Sequence, residues 1–307
     1  MTLSLGFAPV RFNPITPKFK ENPVKALLCA FVLNLFLLLP VSAQVLVFTA
    51  IPDEDESKLQ ERFGPMGEYL SKALNVEVRY VPVKSYAAAV SAFRNDQVQL
   101  AWFGALSGVQ ARATVPNSQA LAQGTEDQAF WTYLIAHKST GLEAGDVIDE
   151  RMRGMTFTFG SKSSTSGRLI PEFYLTERFG ESPDKVFERV GYSGNHSRTL
   201  RLVESGSYAV GAINYAVWDR ELAAGKIDTD AVKVIWKTPA YPNYQWSIRG
   251  DVDARFGAGF TDKVKAALLA MDDKTLLESF ARSAFIPAQN SDYEPIKRTA
   301  QEVGLID

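Results

Sequence analysis

The sequence contains few of the residues that build metal clusters or covalent cross-links. Among its 307 residues there are one cysteine, Cys29, and two histidines, His137 and His196. A single cysteine excludes an intramolecular disulfide and a thiolate metal cluster. The two histidines lack the H-E-x-x-H spacing of a zinc site, and no paired cysteines accompany them. We therefore expect neither a metal ion nor another cofactor.

The chain also lacks an excess of positive charge. Its 33 basic and 35 acidic residues give a formal net charge of −2 at pH 7. Proteins that bind nucleic acid through the phosphate backbone are normally basic, so we expect no nucleic-acid partner. A hydrophobic fraction of 46% and a charged fraction of 22% are typical of a folded globular protein. A chain of this length accommodates one large or two ordinary domains.

No hydrophobic run is long enough to span a membrane as a helix. The longest, residues 26–39, has about 14 residues, whereas a bilayer requires ~20. Lysines precede this run, Cys29 lies inside it, and the small residues of 41–43 follow it. This order predicts a signal peptide over residues 1–43, cleaved after Ala43, with export and no stable membrane insertion afterwards. An uncleaved membrane anchor is the alternative.

After residue 43, short apolar runs alternate with helix-compatible stretches. The runs that predict strands are 45–48, 76–81, 98–103, 155–160, 210–215 and 232–236. The stretches that predict helices are 58–74, 86–93, 169–178, 199–204, 262–271 and 275–281. This rhythm restarts after a candidate crossover at 131–137 and predicts an α/β protein with two halves, each a mostly parallel sheet flanked by helices. We expect a two-lobed binding protein whose ligand lies in the interlobe cleft, where strand C-termini and helix N-termini meet.

The most informative segment is a run of hydroxyl residues between a predicted strand and a predicted helix. Residues 163–167 read Ser-Ser-Thr-Ser-Gly. The N–H groups of a first helical turn have no intrahelical partners, and together with the helix dipole they attract an anion. Capping requires only one of these hydroxyls, so we interpret the segment as an anion site, with plain N-capping as the alternative. The spacing of a Walker phosphate loop is absent.

Other candidate ligand residues lie at the ends of predicted elements. His196 precedes a helix and could donate a hydrogen bond to an oxyanion; a capping or surface histidine is the alternative. Because the sequence has no G-x-S-x-G elbow, we expect no Ser–His hydrolase. Phe103 and Gly104 end a strand, and the glycine lets backbone amides approach a ligand. Tyr86 opens a helix, and its hydroxyl makes it a stronger candidate than a purely apolar ring. The acidic stretch 53–56 is interpreted as a solvated loop or a helix start.

These segments resemble the phosphate/phosphonate/phosphite-type periplasmic solute-binding proteins of ABC importers. The resemblance spans residues 45–290 and rests on Ser164-Thr165-Ser166-Gly167 with the following Arg-Leu-Ile-Pro, and on Ala101-Trp102-Phe103-Gly104. Further stretches are most similar to the subfamily labelled as selenate or phosphite binders: residues 48–55, 83–86 and 191–199. The resemblance implies a type II periplasmic binding protein fold with two hinge crossings. The implied lobes are 44–134 plus 244–307 for lobe one and 135–243 for lobe two.

The resemblance also implies where the ligand lies. In this family the oxyanion lies at the helix start of the serine segment and is contacted by a tyrosine and a histidine. Carried over to this sequence, the contacts fall on Ser164, Thr165, Ser166, Tyr86 and His196. Phe130 or Trp131 stands near a position where aminoalkylphosphonate binders have a tyrosine, and Asn214 ends a neutral strand where they have carboxylates for the ligand amine. We therefore expect an oxyanion without an amine: phosphite, a phosphonate, phosphate or selenate.

The role implied by the resemblance is that of a non-enzymatic importer component. Such a protein would act in the periplasm as a monomer and deliver its oxyanion to an ABC permease and its ATPase. The alternative is a periplasmic sensor subunit that uses the same fold to present the oxyanion to a histidine kinase. An enzyme acting on phosphoesters would need a metal cluster or an activated nucleophile, and the sequence indicates neither.

Overall fold

A computed structural model describes residues 44–306 of the chain. These residues belong to one compact unit. The predicted signal peptide over residues 1–43, with its cleavage site, lies outside the described residues. Within residues 44–306 no helix has both the length and the apolar character that crossing a membrane requires.

The described residues form eleven strands and eleven α-helices. The strands are β1 Val45–Ala50, β2 Glu77–Tyr80, β3 Leu100–Phe103, β4 Gln119–Gly124, β5 Thr132–His137, β6 Thr156–Phe159, β7 Arg189–Tyr192, β8 Val210–Asn214, β9 Val232–Lys237, β10 Gln245–Ile248 and β11 Phe285–Pro287. The helices are α1 Glu56–Leu74, α2 Tyr86–Arg94, α3 Ala105–Thr114, α4 Ile170–Phe179, α5 Pro183–Val186, α6 His196–Glu204, α7 Tyr215–Ala223, α8 Val252–Phe256, α9 Phe260–Leu269, α10 Lys274–Ser279 and α11 Glu294–Glu302.

The strands form two sheets, and each sheet is mixed. The first has the order β11-β4-β10-β3-β1-β2 and the second β7-β6-β8-β5-β9. In the first sheet β2 and β3 run parallel to β1, whereas β10 and β11 pair antiparallel. In the second sheet β6 runs parallel to β7 and β8, whereas β5 pairs antiparallel with β8 and β9. We call each sheet with its helices a lobe, the first and the second.

The predicted α/β architecture is confirmed, and most strands of each sheet run in one direction, with β10 and β11 reversed in the first sheet and β5 in the second. The alternation of apolar and polar residues indicates how a strand is buried but not in which direction it runs. The strands next to the lobe crossings, β5, β9 and β10, run antiparallel to their neighbours. The sequence pattern also missed β4, β5, β7, β10 and β11. Residues of β4 and β10 are almost all buried, so these strands lack the apolar–polar alternation that identifies a half-buried strand.

An aromatic cluster forms the centre of the first lobe. Trp102 and Trp246 lie on adjacent strands with ring centroids 5.3 Å apart, and Phe63 of α1 meets Trp246 edge-on at 6.3 Å. Each fully buried aromatic or aliphatic side chain contributes roughly 1.5–3 kcal/mol to folding. The cluster therefore anchors the strands whose ends carry the loops at residues 51–55 and 104.

The chain crosses between the lobes twice, and the two crossings contact each other. Phe130 in the first crossing and Tyr241 in the second exchange backbone hydrogen bonds of 2.9 and 2.8 Å. Asp127 in the first crossing is buried and binds Arg282 through two N···O contacts of 2.6 Å each. The same carboxylate accepts a hydrogen bond of 3.3 Å from the backbone N–H of Tyr244. These contacts hold both crossings against the first lobe.

The lobe boundaries expected from the sequence stay predictions. The boundary at 134/135 falls inside β5, which pairs along its length within the second sheet. The boundary at 243/244 falls in the crossing between β9 and β10.

Candidate functional site

The serine segment folds into a tight turn that ends β6 and starts a helix. Ser164 caps this helix start, and its Oγ accepts a hydrogen bond of 2.9 Å from the N–H of Gly167. One π-helical turn, Thr165–Leu169, leads directly into α4. Gly160 and Gly167 face each other, and a Cβ on either would lie 3.1–3.2 Å from the other's Cα. Two glycines are thus required for the turn to fold back on the strand end.

Two helix N-termini from different lobes meet at this turn. The Oγ1 of Thr165 accepts a hydrogen bond of 2.9 Å from the backbone N–H of Leu106, in the first turn of α3. Gly104, which caps α3, lies so close that a Cβ there would be 3.3 Å from the same Oγ1. The positive ends of both helices therefore converge on one buried point, which favours an anion without any cationic side chain.

His196 supplies a directed N–H donor next to the serine turn. Its Nδ1 accepts a hydrogen bond of 3.3 Å from the backbone N–H of Asn214, and its Nε2 lies 3.2 Å from the Oγ of Ser166. Because a backbone N–H can only donate, Nδ1 is unprotonated and Nε2 carries the hydrogen. Burial lowers the pKa of His196 from 6.5 to about 4. The ring is therefore a neutral donor at physiological pH.

Asn214 connects the second lobe to the first. Its Oδ1 caps α7 by accepting from the N–H groups of Ala216 and Val217 at 2.7 and 3.2 Å. Its Nδ2 donates to the hydroxyl of Tyr244, at 3.0 Å, on the other side of the cleft. The side chain predicted as a ligand contact thus already has partners on both of its ends.

The predicted aromatic residues occupy three different environments. Tyr86 is buried, and its hydroxyl has no hydrogen-bond partner among the described residues. Burial, and next the charge of Asp53, raises the pKa of Tyr86 well above its ordinary value, so the hydroxyl remains a donor. Phe103 packs in the core of the first lobe, 5.7 Å from Phe93. Trp131 stacks on Tyr215 at 3.8 Å. Ligand contacts by Phe103 and Trp131 stay predictions.

Asp53 belongs to the cleft, although the sequence pattern of 53–56 was interpreted as a solvated loop or a helix start. It is buried, and its backbone carbonyl accepts a hydrogen bond of 2.9 Å from the N–H of His196, across the cleft. Its Oδ2 accepts from the hydroxyl of Tyr244 at 2.9 Å, while Oδ1 has no hydrogen-bond partner among residues 44–306. Burial raises the pKa of Asp53, because desolvation outweighs the attraction of Arg62.

Asn243 is a second site residue that sequence reasoning missed. Its Oδ1 accepts a hydrogen bond of 3.2 Å from the N–H of Ala105, and a Cβ on Gly104 would lie 3.4 Å from this oxygen. Its Nδ2 is buried and has no partner in the part of the chain that the structure describes. A polar residue at the end of the Tyr-Pro-Asn sequence, just before a buried strand, was the available signal.

Ion pairs join the two lobes at the rim of the cleft. Glu54 of the first lobe pairs with Arg220 of α7, and Lys58 of α1 pairs with Glu221 of α7. Glu54 also pairs with Arg62 of its own lobe. Burial acts to raise the pKa of Glu54, but Arg62 and Arg220 together outweigh it and hold that pKa below its ordinary value. We call Glu54–Arg220 and Lys58–Glu221 the interlobe pairs.

The donors at the serine turn suit a small tetrahedral oxyanion. They are neutral: the hydroxyls of the turn and the N–H of His196, beside the N-termini of two helices. Sequence comparison identifies the family: residues 48–293 match the profile described as "ABC transporter, phosphonate, periplasmic substrate-binding protein". The chain belongs to this family. The resemblance found in the sequence is thereby confirmed.

Individual relatives agree with this assignment. The chain is 38% identical over 270 residues to the probable ABC transporter phosphite binding protein PhnD1 of Prochlorococcus marinus strain MIT 9301, covering 86% of this chain and 91% of that protein. The solved structure of that PhnD1 in complex with methylphosphonate has a TM-score of 0.82 and covers 86% of this chain and 100% of the other. A binding protein of an ABC phosphonate transporter from Pseudomonas aeruginosa, 22% identical, shares the fold with a TM-score of 0.75, covering 86% and 87%.

Proposed function

We propose that this chain captures a small phosphorus oxyanion, phosphite or a short-chain phosphonate, and delivers it to an ABC permease. The observation that carries the proposal is the serine turn: a helix start with three hydroxyl side chains beside the N–H of His196. A tetrahedral anion at this point would accept from Ser164, Thr165 and Ser166 and from the histidine. The PhnD1 relative, whose solved structure holds methylphosphonate, supports this ligand class.

The hydroxyl of Tyr86 and the Nδ2 of Asn243 complete the proposed donor set. Both are buried without partners among the described residues, and an unpaired buried donor costs about 1–3 kcal/mol. A bound oxyanion would remove that cost, because its oxygens accept several hydrogen bonds at once. The helix start at Gly104 would contribute the positive end of its dipole from the first lobe. Phosphate and selenate remain members of the test panel.

An importer role is favoured over the alternatives by family membership. The matching profile describes a transporter component, and nothing in it supports the sensor role. We infer that the protein is not an enzyme, that it acts in the periplasm after removal of residues 1–43, and that it works as a monomer with a permease and an ATPase.

Calorimetric titration of the protein starting at residue 44 tests the proposal. The sample is unfolded and refolded to remove ligand, then titrated with phosphite, methylphosphonate, 2-aminoethylphosphonate, phosphate, selenate and sulfate. We expect micromolar or tighter binding of phosphite or methylphosphonate, and at least a tenfold loss in Ser166→Ala. The exposed Ser205→Ala is the matched control and should bind as the wild type does. If none of these ligands binds to a folded sample, the proposal is refuted.

A further inference from the structure

One buried carboxylate oxygen in the cleft, Oδ1 of Asp53, is a hydrogen-bond acceptor, whereas the proposed ligand contacts around it are donors. The Oδ1 of Asp53 has no hydrogen-bond partner among residues 44–306. The nearest cation, Nη1 of Arg62, lies 3.8 Å away, beyond hydrogen-bond range, and Arg62 donates to Glu54 instead. An anion-binding cleft gains nothing from a carboxylate unless the ligand itself donates a hydrogen.

The position of Asp53 is fixed on both sides of this free oxygen. Its Oδ2 accepts from Tyr244, which in turn accepts from Nδ2 of Asn214. Its carbonyl accepts from the first N–H of α6, at His196. Asp53 is therefore held by both lobes, and its carboxylate is close enough to the buried hydroxyl of Tyr86 to raise the pKa of that hydroxyl.

We propose that Asp53 determines specificity for a singly protonated oxyanion by accepting a hydrogen bond from the ligand's P–OH group at Oδ1. This inference rests on the proposed function and deepens it. A phosphonate or phosphite monoanion has ionised oxygens for the hydroxyl donors of the cleft and one hydroxyl for Asp53. Sulfate and selenate carry no proton at neutral pH. They would leave Oδ1 unpaired and place a dianion beside a carboxylate, which is costly in a buried site.

The charged and titratable groups around Asp53 agree with a shared proton. Two cations and one further carboxylate interact with it, together with the hydroxyls of three tyrosines: Arg62, Arg220, Glu54, Tyr80, Tyr86 and Tyr244. The net effect is a raised pKa of Asp53, dominated by burial. A ligand that donates a hydrogen bond would stabilise the carboxylate of Asp53 in this environment. His196 competes poorly for the proton, because protonating Nδ1 would break its bond from the N–H of Asn214.

Proton linkage in the unmodified protein is the first test. At mildly alkaline pH free methylphosphonate is largely a dianion, so binding as the monoanion requires uptake of about one proton per ligand. Calorimetry in two buffers of very different ionisation enthalpy measures this number. We expect uptake of about one proton, and rejection of sulfate and selenate by at least about 100-fold relative to methylphosphonate. No uptake with binding intact, or sulfate binding of similar strength, would overturn the proposal.

Asp53→Asn is the second test, because it replaces the free acceptor by an amide donor of the same shape. We expect loss of the proton uptake, at least a tenfold loss of methylphosphonate affinity, and a relative gain for sulfate. Glu56→Gln, an exposed acid of the same stretch, should change neither quantity. Wild-type affinity and proton uptake in Asp53→Asn would refute the role of Asp53. If Asp53→Asn does not fold, the wild-type proton count and the sulfate discrimination decide. Failure of the wild type to bind any phosphorus oxyanion would refute the proposed function itself.

Discussion

Removal of Arg220 should weaken ligand binding without weakening either lobe. Arg220 lies on α7 of the second lobe and pairs with Glu54 of the first. In an open protein both side chains would be solvated and apart. Arg220→Gln therefore removes an attraction that exists only when the lobes are closed, and closure is coupled to ligand binding.

The magnitude follows from the burial of the two partners. Breaking a fully buried ion pair costs about 3–5 kcal/mol, whereas an exposed pair contributes at most about 1 kcal/mol. The side chain of Glu54 is 1% exposed, but that of Arg220 is 32% exposed. In the variant Glu54 also keeps Arg62 and has Lys58 at 3.7 Å. We therefore expect a loss of about 1 kcal/mol, which is about fivefold in ligand affinity.

The assay is calorimetric titration of methylphosphonate, combined with thermal unfolding of the ligand-free protein. Arg153→Gln is the matched control, because Arg153 pairs with Glu181 within the second lobe and has a similar exposure. Arg220→Gln should lower affinity and leave the unfolding temperature of the free protein unchanged, whereas Arg153→Gln should leave affinity unchanged. Equal affinities for wild type and Arg220→Gln, or an equal loss in both variants, would show that the interlobe pairs do not stabilise closure.

Three further variants test the cleft. Tyr86→Phe should lower ligand affinity by about tenfold or more, since a hydrogen bond to a charged group contributes about 1.5–3 kcal/mol. The ligand-free protein should keep its unfolding temperature, because the hydroxyl of Tyr86 has no hydrogen-bond partner among the described residues. A marked fall in that temperature would contradict the reasoning. Gly104→Ala places a Cβ 3.3 Å from Thr165 of the other lobe and should weaken binding several-fold by titration, whereas Gly64→Ala, with nothing within 4 Å, should not. The pKa of His196 is lowered to about 4 in the folded protein, against 6.5 in the unfolded chain, so the unfolded chain takes up the proton at a higher pH. The free energy of unfolding should therefore fall by about 3 kcal/mol as the pH drops from 6.5 to 4. Denaturant titrations should show that His196→Asn removes this part of the pH dependence.

The parts of the site that could be predicted from the sequence are those with a local cause. The serine turn is a strand end, a cap and a helix start within ten residues, so hydroxyl spacing and helix physics were enough to identify it. His196 stands in the same situation at the start of α6. Their contact, Nε2 to the Oγ of Ser166, joins segments 30 residues apart and follows only from the fold.

The residues that were missed owe their position to distant segments. Asp53 begins a run of four acids, a pattern typical of a solvated loop or a helix start, and its burial depends on Tyr244 and on the start of α6 in the other lobe. Glu54 is buried because Arg62 and Arg220 neutralise it, and Arg220 is 166 residues away. The sequence could not show which strands are reversed for a similar reason, since the directions of β5 and β10 are decided by how the chain returns through the crossings.

The bonded pair Phe130–Tyr241 has a mechanical consequence. Two independent linkers would let the lobes twist, slide and bend separately, but crossings that are hydrogen-bonded to each other must bend together. The pair therefore couples the two crossings, so a bend in one is accompanied by a bend in the other. A distance between the lobes would then report how far both crossings have bent, and so how far the protein has responded to its ligand.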